Sequence, residues 1–159
     1  MAKKNGAAGG TPTITNRKAY HDYSISDELE VGIVLRGMEV KSIRAGAFLI
    51  GDAYVDITKD GELWLVGGSI APYKHAGTHE VYEPERRRKL LAHREEIAKL
   101  RKKRIEKGFT IVPLKAYFKD GKVKLLIGLA KGKKEFDKRE TIKTRDVQRD
   151  MDRSGARKG

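Results

Sequence analysis

VGIVLRGMEVKSIRAG, from Val31 to Gly46, is the stretch whose reading decides the fold. Val31, Ile33 and Leu35 recur at every second position, so in an extended chain they share one face. Gly37 interrupts the pattern, and beyond it Val40, Ser42 and Arg44 oppose Lys41 and Ile43. A glycine within a strand pattern marks a bulge or a sharp bend. Long bent strands are how small barrels turn their corners. The expectation is one long bent strand; a helix from Met38 to Arg44 is the competing reading.

Toward the N-terminus, Asn16 to Ile25 alternates as a half-buried strand carrying Tyr23 and Ile25 on one face, and Ser26 to Glu30 reads as a polar connection. Residues 1–15 read as a flexible arm rich in Gly, Ala and Thr. Toward the C-terminus come the short apolar runs Phe48–Ile50 and Ala53–Ile57. The turn Lys59-Asp60-Gly61-Glu62 then leads to Leu63–Val66; Asp-Gly between apolar runs is a strong hairpin signal. Ser69 to Tyr73 closes that unit, and residues 74–82 look like a loop. Pro84 suits a first helical turn, an apolar stripe runs on to Ile105, and Gly108 is a natural stop, so a helix is expected from Pro84 to Lys107. Phe109–Phe118 and Lys122–Ala130 form a second hairpin about Asp120-Gly121. About six short strands and one long helix, with a core spanning 16–130, predict a small antiparallel β-barrel.

The 159 residues carry 35 Lys and Arg against 22 Asp and Glu, a net charge of +13. That excess favours nucleic acid or another polyanion as partner. The expected helix alone holds eleven cations and four glutamates, which suggests an outward face lying on phosphate. No cysteine occurs, which leaves no disulfide framework, thiolate metal site or cysteine nucleophile and fits a cytoplasmic location. No apolar run has signal-peptide or transmembrane length, so no membrane partner is expected. No phosphate-binding glycine loop is present, and His75 and His79 have no further ligand nearby. His21, Asp22 and Ser24 do not converge on a strand, and the carboxylates mostly sit beside Lys or Arg. Neither an enzyme nor a cofactor nor a metal is expected. What remains is a basic surface with interspersed tyrosines. Lys41 and Arg44 are candidate phosphate contacts and Tyr23 a candidate stacking ring, while Tyr54 and Tyr117 are expected to pack.

From Lys131 to Arg153 the chain is rich in charge and holds only Phe136, Ile142, Val147 and Met151 as large apolar residues. Four such residues cannot offset the entropy of ordering so long a segment. Yet helix formers dominate, and Glu135–Arg139 and Asp146–Arg149 sit at helix-neighbour spacings. Residues 131–159 therefore read as a tail that is disordered in the free protein and becomes helical against a polyanion. A merely solubilising tail is the alternative.

NRKAYHDY at 16–23, EVGIVLRGMEVKSIRAG at 30–46, RRRKLLAHREEI at 86–97, GFTIVPLKAYF at 108–118 and KVKLLIGLAKGKKEFDKR at 122–139 together resemble the small protein B family. These are the SsrA-binding proteins, bacterial partners of transfer-messenger RNA. The resemblance implies an OB-like barrel that binds the tRNA-like domain of that RNA near its D-loop and elbow. It implies rescue of stalled 70S ribosomes, the protein standing in for the missing anticodon arm. It also implies arrival with elongation factor Tu and GTP, the tail entering the empty message channel at the decoding centre.

Three positions match residues the family uses on its RNA: Glu30, Leu91 and Lys124. A lysine supplies a compact charge for phosphate. A carboxylate must instead accept a hydrogen bond from a base edge or orient a nearby cation. Leu91 would press on a base or sugar. In the tail, Lys131, Gly132, Lys133 and Lys134 and then Asp137, Lys138 and Arg139 match the family's ribosome-binding signature. Phe136 departs from it, since many members carry His there; Phe keeps the stacking face and loses the ring N–H. Two rivals stand beside this reading: a general single-strand or ribosomal RNA binder on an OB-like barrel, and an RNA-processing enzyme.

Overall fold

In the computed structural model, which describes residues 10–73 and 82–133, alternating burial along antiparallel strands wraps one sheet into a closed barrel. The strands in chain order are β1 (Ile14–Thr15), β2 (Tyr23–Ile33), β3 (Phe48–Leu49), β4 (Tyr54–Ile57), β5 (Leu63–Val66), β6 (Ser69–Ile70), β7 (Arg88–Leu91), β8 (Thr110–Lys119) and β9 (Lys122–Gly132). The helices are α1 (Arg17–Asp22), α2 (Gly37–Arg44) and α3 (Arg94–Lys107). The ring runs β8-β4-β5-β7-β2-β9 and closes through the β8–β9 ladder, while β1 adds to β8 and β3 pairs with β6. This is the expected small antiparallel barrel of about six strands.

Inside the ring, Val55 and Ile57 of β4, Leu63 and Leu65 of β5, Leu90 of β7, and Leu125, Ile127 and Leu129 of β9 interdigitate. Fully burying one such side chain contributes about 1.5–3 kcal/mol, so this core supplies the main drive to close the barrel. β8 is buried on consecutive positions, Ile111 to Leu114, because its outer face is covered too. There α1 sets Ala19 against Val112, Leu114 and Ala130, flanked by Tyr20 and Tyr23.

Both Asp-Gly hairpins form: β4 and β5 join across Gly61, and β8 and β9 across Asp120 and Gly121, which adopt φ of 52° and 77°. Several other expectations give way. Residues 38–44 belong to α2 and not to a bent strand. Glu39 turns back to accept the Arg36 amide at 2.8 Å, which starts the helix, and it is then clamped by Arg86 and Arg88 from the far side of the chain. Residues 17–22 are helical because Asn16 caps them, its Oδ1 accepting the Ala19 amide at 3.0 Å. Asn16 is buried, and its amide donates to the Ile50 and Pro113 carbonyls at 3.1 and 2.8 Å, so it holds the fold. Ser26 to Glu30 is no connection but the middle of β2, with a register shift between Ser26 and Leu29 and Asp27 at φ 50°.

The expected helix from Pro84 begins only at Arg94, since residues 88–91 are β7. Arg88 points into the barrel, fully buried, with its guanidinium on Glu39 at 2.8 Å and on the Gly68, Pro84 and Arg86 carbonyls. An inward arginine breaks the apolar period that would have marked a strand. At the C-terminal end of the barrel, β9 runs two residues beyond Ala130: Lys131 and Gly132 pair with Ser24 and Tyr23. At the other end, Ile14 and Thr15 of the expected arm pair with β8.

Candidate nucleic-acid interface

Gly32 of β2 pairs with Leu91 of β7 on one side and with Lys124 of β9 on the other. Lys124 in turn pairs with Tyr117 of β8. Four strands therefore bring Leu91, Gly32, Lys124 and Tyr117 into one row across the outside of the barrel, at strand spacings of about 4.8 Å. Glu30 lies two residues along β2 and so on the same face. Val31, between them, points into the core. Gly32 matters here for space: a Cβ on it would lie 3.4 Å from the Leu91 Cβ, and the Leu91 side chain occupies that room.

The chemistry of the row is mixed. Leu91 is 52% exposed, so it is no core residue of a helix but an apolar side chain presented outward from a strand. Lys124 is half-buried and forms no salt bridge among the described residues. Glu30 accepts hydrogen bonds from the Tyr117 hydroxyl and from Lys119 Nζ, the latter at 3.2 Å. The Tyr117 hydrogen bond, then that of Lys119, hold the Glu30 carboxyl below its ordinary range. Burial, followed by the same hydrogen bond and the carboxylate charge, pushes the Tyr117 phenol up to about 12. Glu30 is thus an ionised, oriented acceptor between two cations, and Tyr117 stays a proton donor throughout the physiological range.

Tyr117 and Lys119 were not among the expected contacts. Their signal was the alternation of Lys115, Tyr117 and Lys119 with the inward Ala116 and Phe118, which puts all three on the outer face. Lys41 and Arg44 sit together on α2, Lys41 Nζ 5.8 Å from the Tyr73 ring centre and Arg44 Cζ 5.2 Å from that of Phe118. Because Phe118 follows Tyr117 in β8, Arg44 stands close to the hairpin end that carries Lys119. Tyr23 is not brought to this row. It lies at the other end of β2, half-buried against α1 and opposite Gly132. Tyr54, expected to pack, is 47% exposed. Of the expected tail contacts, Lys131 and Gly132 close β9, and Lys133 donates its amide to the Asp22 carbonyl at 2.9 Å. Lys134, Phe136, Asp137, Lys138 and Arg139 lie outside the described residues, as do His75 and His79. Among the described residues no group of three or more His, Asp or Glu side chains could hold a metal ion.

The family model for SmpB protein matches residues 13–157. The chain belongs to the SmpB family. Relatives named SsrA-binding protein include that of a Sulfurihydrogenibium species, 53% identical over 88% of this chain and 91% of its own length. That of Streptococcus pneumoniae is 50% identical over 91% and 92%, and that of Bifidobacterium adolescentis 47% identical over 94% and 92%. A solved structure of tmRNA–SmpB in the bacterial ribosome matches at a TM-score of 0.66 and 46% identity, covering 79% of this chain and 87% of that one. The SmpB barrel therefore extends to this chain by sequence and by fold together.

Proposed function

We propose that this SmpB-family chain is an RNA-binding adaptor, not an enzyme, that binds transfer-messenger RNA and acts with it in trans-translation on the ribosome. Membership of a family whose members are named for binding SsrA RNA carries the reading. The convergence of Glu30, Leu91 and Lys124 on one outer row of the barrel supports it. In this reading Lys124 meets phosphate and Leu91 covers a sugar or an unstacked base. Glu30, fixed by Tyr117 and Lys119, accepts from a base edge. Lys41 and Arg44 extend the cationic surface at the barrel mouth. Tyr23 is assigned a supporting role at the root of the tail.

The finer steps belong to the same proposal. The RNA arrives on the ribosome with elongation factor Tu and GTP. Residues from Lys134 onward enter the empty message channel, Phe136 stacking near the decoding centre. A cytoplasmic location belongs to the same proposal and is supported by membership of the family. Among the described residues no helix is long and apolar enough to cross a membrane. The test is to capture RNA on the purified protein from a bacterial lysate and sequence it. One tRNA-like species with a message-like domain should dominate. Ribosomal RNA fragments without enrichment of that species would sink the reading in favour of a general RNA binder.

A further inference from the structure

Leu91 also lines a groove of about 870 Å³ between α3 and the β4–β5 hairpin. One wall is a single stripe of α3, formed by Arg94, Ile97, Ala98, Arg101, Lys102 and Ile105. The opposite wall is the hairpin tip from Lys59 to Leu63. Resting on the reading above, we propose that this groove holds the backbone of a double-stranded arm of the same RNA, with its phosphates on Lys59, Arg94 and Lys102.

Three observations point there. The first is which cations are free. Elsewhere on α3, Lys103 is paired with Asp27 at 2.9 Å and Arg104 with Asp56 at 3.7 Å. In the groove, Lys89 is paired with Glu62 at 3.1 Å and Arg101 donates to the Thr58 carbonyl. Lys59, Arg94 and Lys102 form no salt bridge among the described residues. Three cations without a salt-bridge partner on the two walls of one groove are best satisfied by a polyanion.

The second observation is the lack of rings. Among the described residues His93 is the only ring lining the groove, whereas single strands are held by stacking on aromatic faces. What the groove offers is methyl groups, with Ile105 71% exposed, beside cations. Sugar edges and phosphates of an A-form helix are read by that combination, through shape and charge and not through bases. The third is continuity: Leu91 belongs both to the groove and to the row with Lys124, so one RNA can pass from the barrel face into the groove without leaving the protein.

The experiment measures dissociation constants for a transcript of the tRNA-like domain over a range of salt. It compares wild type, Lys59→Gln/Arg94→Gln/Lys102→Gln, Lys124→Ala, and Lys99→Gln as a control for charge on α3 outside the groove. Circular dichroism and the thermal midpoint confirm folding. The triple variant should lose about two to three units of log–log slope and bind roughly a hundred- to a thousandfold more weakly at 0.1 M salt, since each lost phosphate contact is close to a factor of ten there. Lys99→Gln should keep the wild-type slope. A triple variant with wild-type slope, alongside a reduced slope for Lys124→Ala, would overturn the groove proposal alone and leave the groove to an acidic polypeptide. If Lys124→Ala also kept the wild-type slope and affinity, the barrel-face reading would fall and the groove with it.

Discussion

Tyr117 gives Glu30 a partner on its own protein before any RNA arrives. The pairing works in both directions, since a carboxylate that accepts from a phenol also holds that phenol protonated. Removing the carboxylate as Glu30→Ala should therefore bring the Tyr117 phenol down from about 12 toward its ordinary range, though not fully, because burial is the larger cause. Ultraviolet difference titration against Tyr117→Phe isolates this one ring; an unmoved midpoint would separate the two groups. On the acid side the sign is opposite. The Glu30 carboxyl is held low, so its contacts are complete above the ordinary glutamate range of about 4.3 and are lost only as pH falls below it. RNA affinity should accordingly be flat in pH from 6 to 9 as far as this pair is concerned. The two charged members of the row should respond to salt differently. Lys124→Ala should lower the slope of log affinity on log salt by about one unit, whereas Glu30→Ala should weaken binding at constant slope, because it touches no phosphate. Dissociation constants at several salt concentrations decide both.

Among the elements, α2 shows how a distant partner overrules a local pattern. Glu39 is 1% exposed, and burial alone would raise its carboxyl. Hydrogen bonds from Arg86, the Arg36 amide and Arg88 outweigh that and hold it low. Glu39→Ala would leave the fully buried Arg88 without its counter-ion, which should cost about 3–5 kcal/mol in urea unfolding. In wild type this contribution is full above the ordinary glutamate range and disappears as pH falls through the lowered folded value. A loss under 1 kcal/mol would show that the carbonyls of Gly68, Pro84 and Arg86 alone satisfy the guanidinium. The same pair explains what could be read in the chain and what could not. Both Asp-Gly hairpins were legible because the turn chemistry is local. The strand Arg88–Leu91 was not, and the helix Gly37–Arg44 stood only as the competing reading, because an inward Arg and a buried Glu look like surface residues until they meet. The proposed RNA-facing row was invisible to periodicity for a similar reason. Glu30, Leu91 and Lys124 lie far apart in sequence and were named only through resemblance, while Tyr117 entered through its contact with Glu30.

For the molecule as a whole, the end of β9 sets where the barrel stops and the remaining chain begins. A chain ending after Lys133 should keep the wild-type thermal midpoint and still bind transfer-messenger RNA, with some affinity lost at low salt. It should fail to tag peptides on stalled ribosomes. A chain ending after Ala130 should melt lower, because it gives up the Tyr23–Gly132 pairing and the Lys133 contacts with Asp22 and Tyr20. Equal midpoints for the two would make those contacts idle, and retained tagging would remove the tail from the mechanism. The closing seam also sets a timetable for synthesis. Ile25 must wait for Ala130, and Tyr23 for Gly132, before the β2–β9 ladder can form. At translation speeds of about 5–20 residues per second, β2 spends roughly five to twenty seconds with that edge bare. Ring closure is a late, non-local event, and such topologies fold slowly. The acidic side chains of Asp27, Glu28 and Glu30, with the irregular register at Asp27, make that waiting edge a poor template for a neighbouring nascent chain. Glu30, the carboxylate proposed to meet RNA in the finished protein, thereby also guards the strand while the protein is being made.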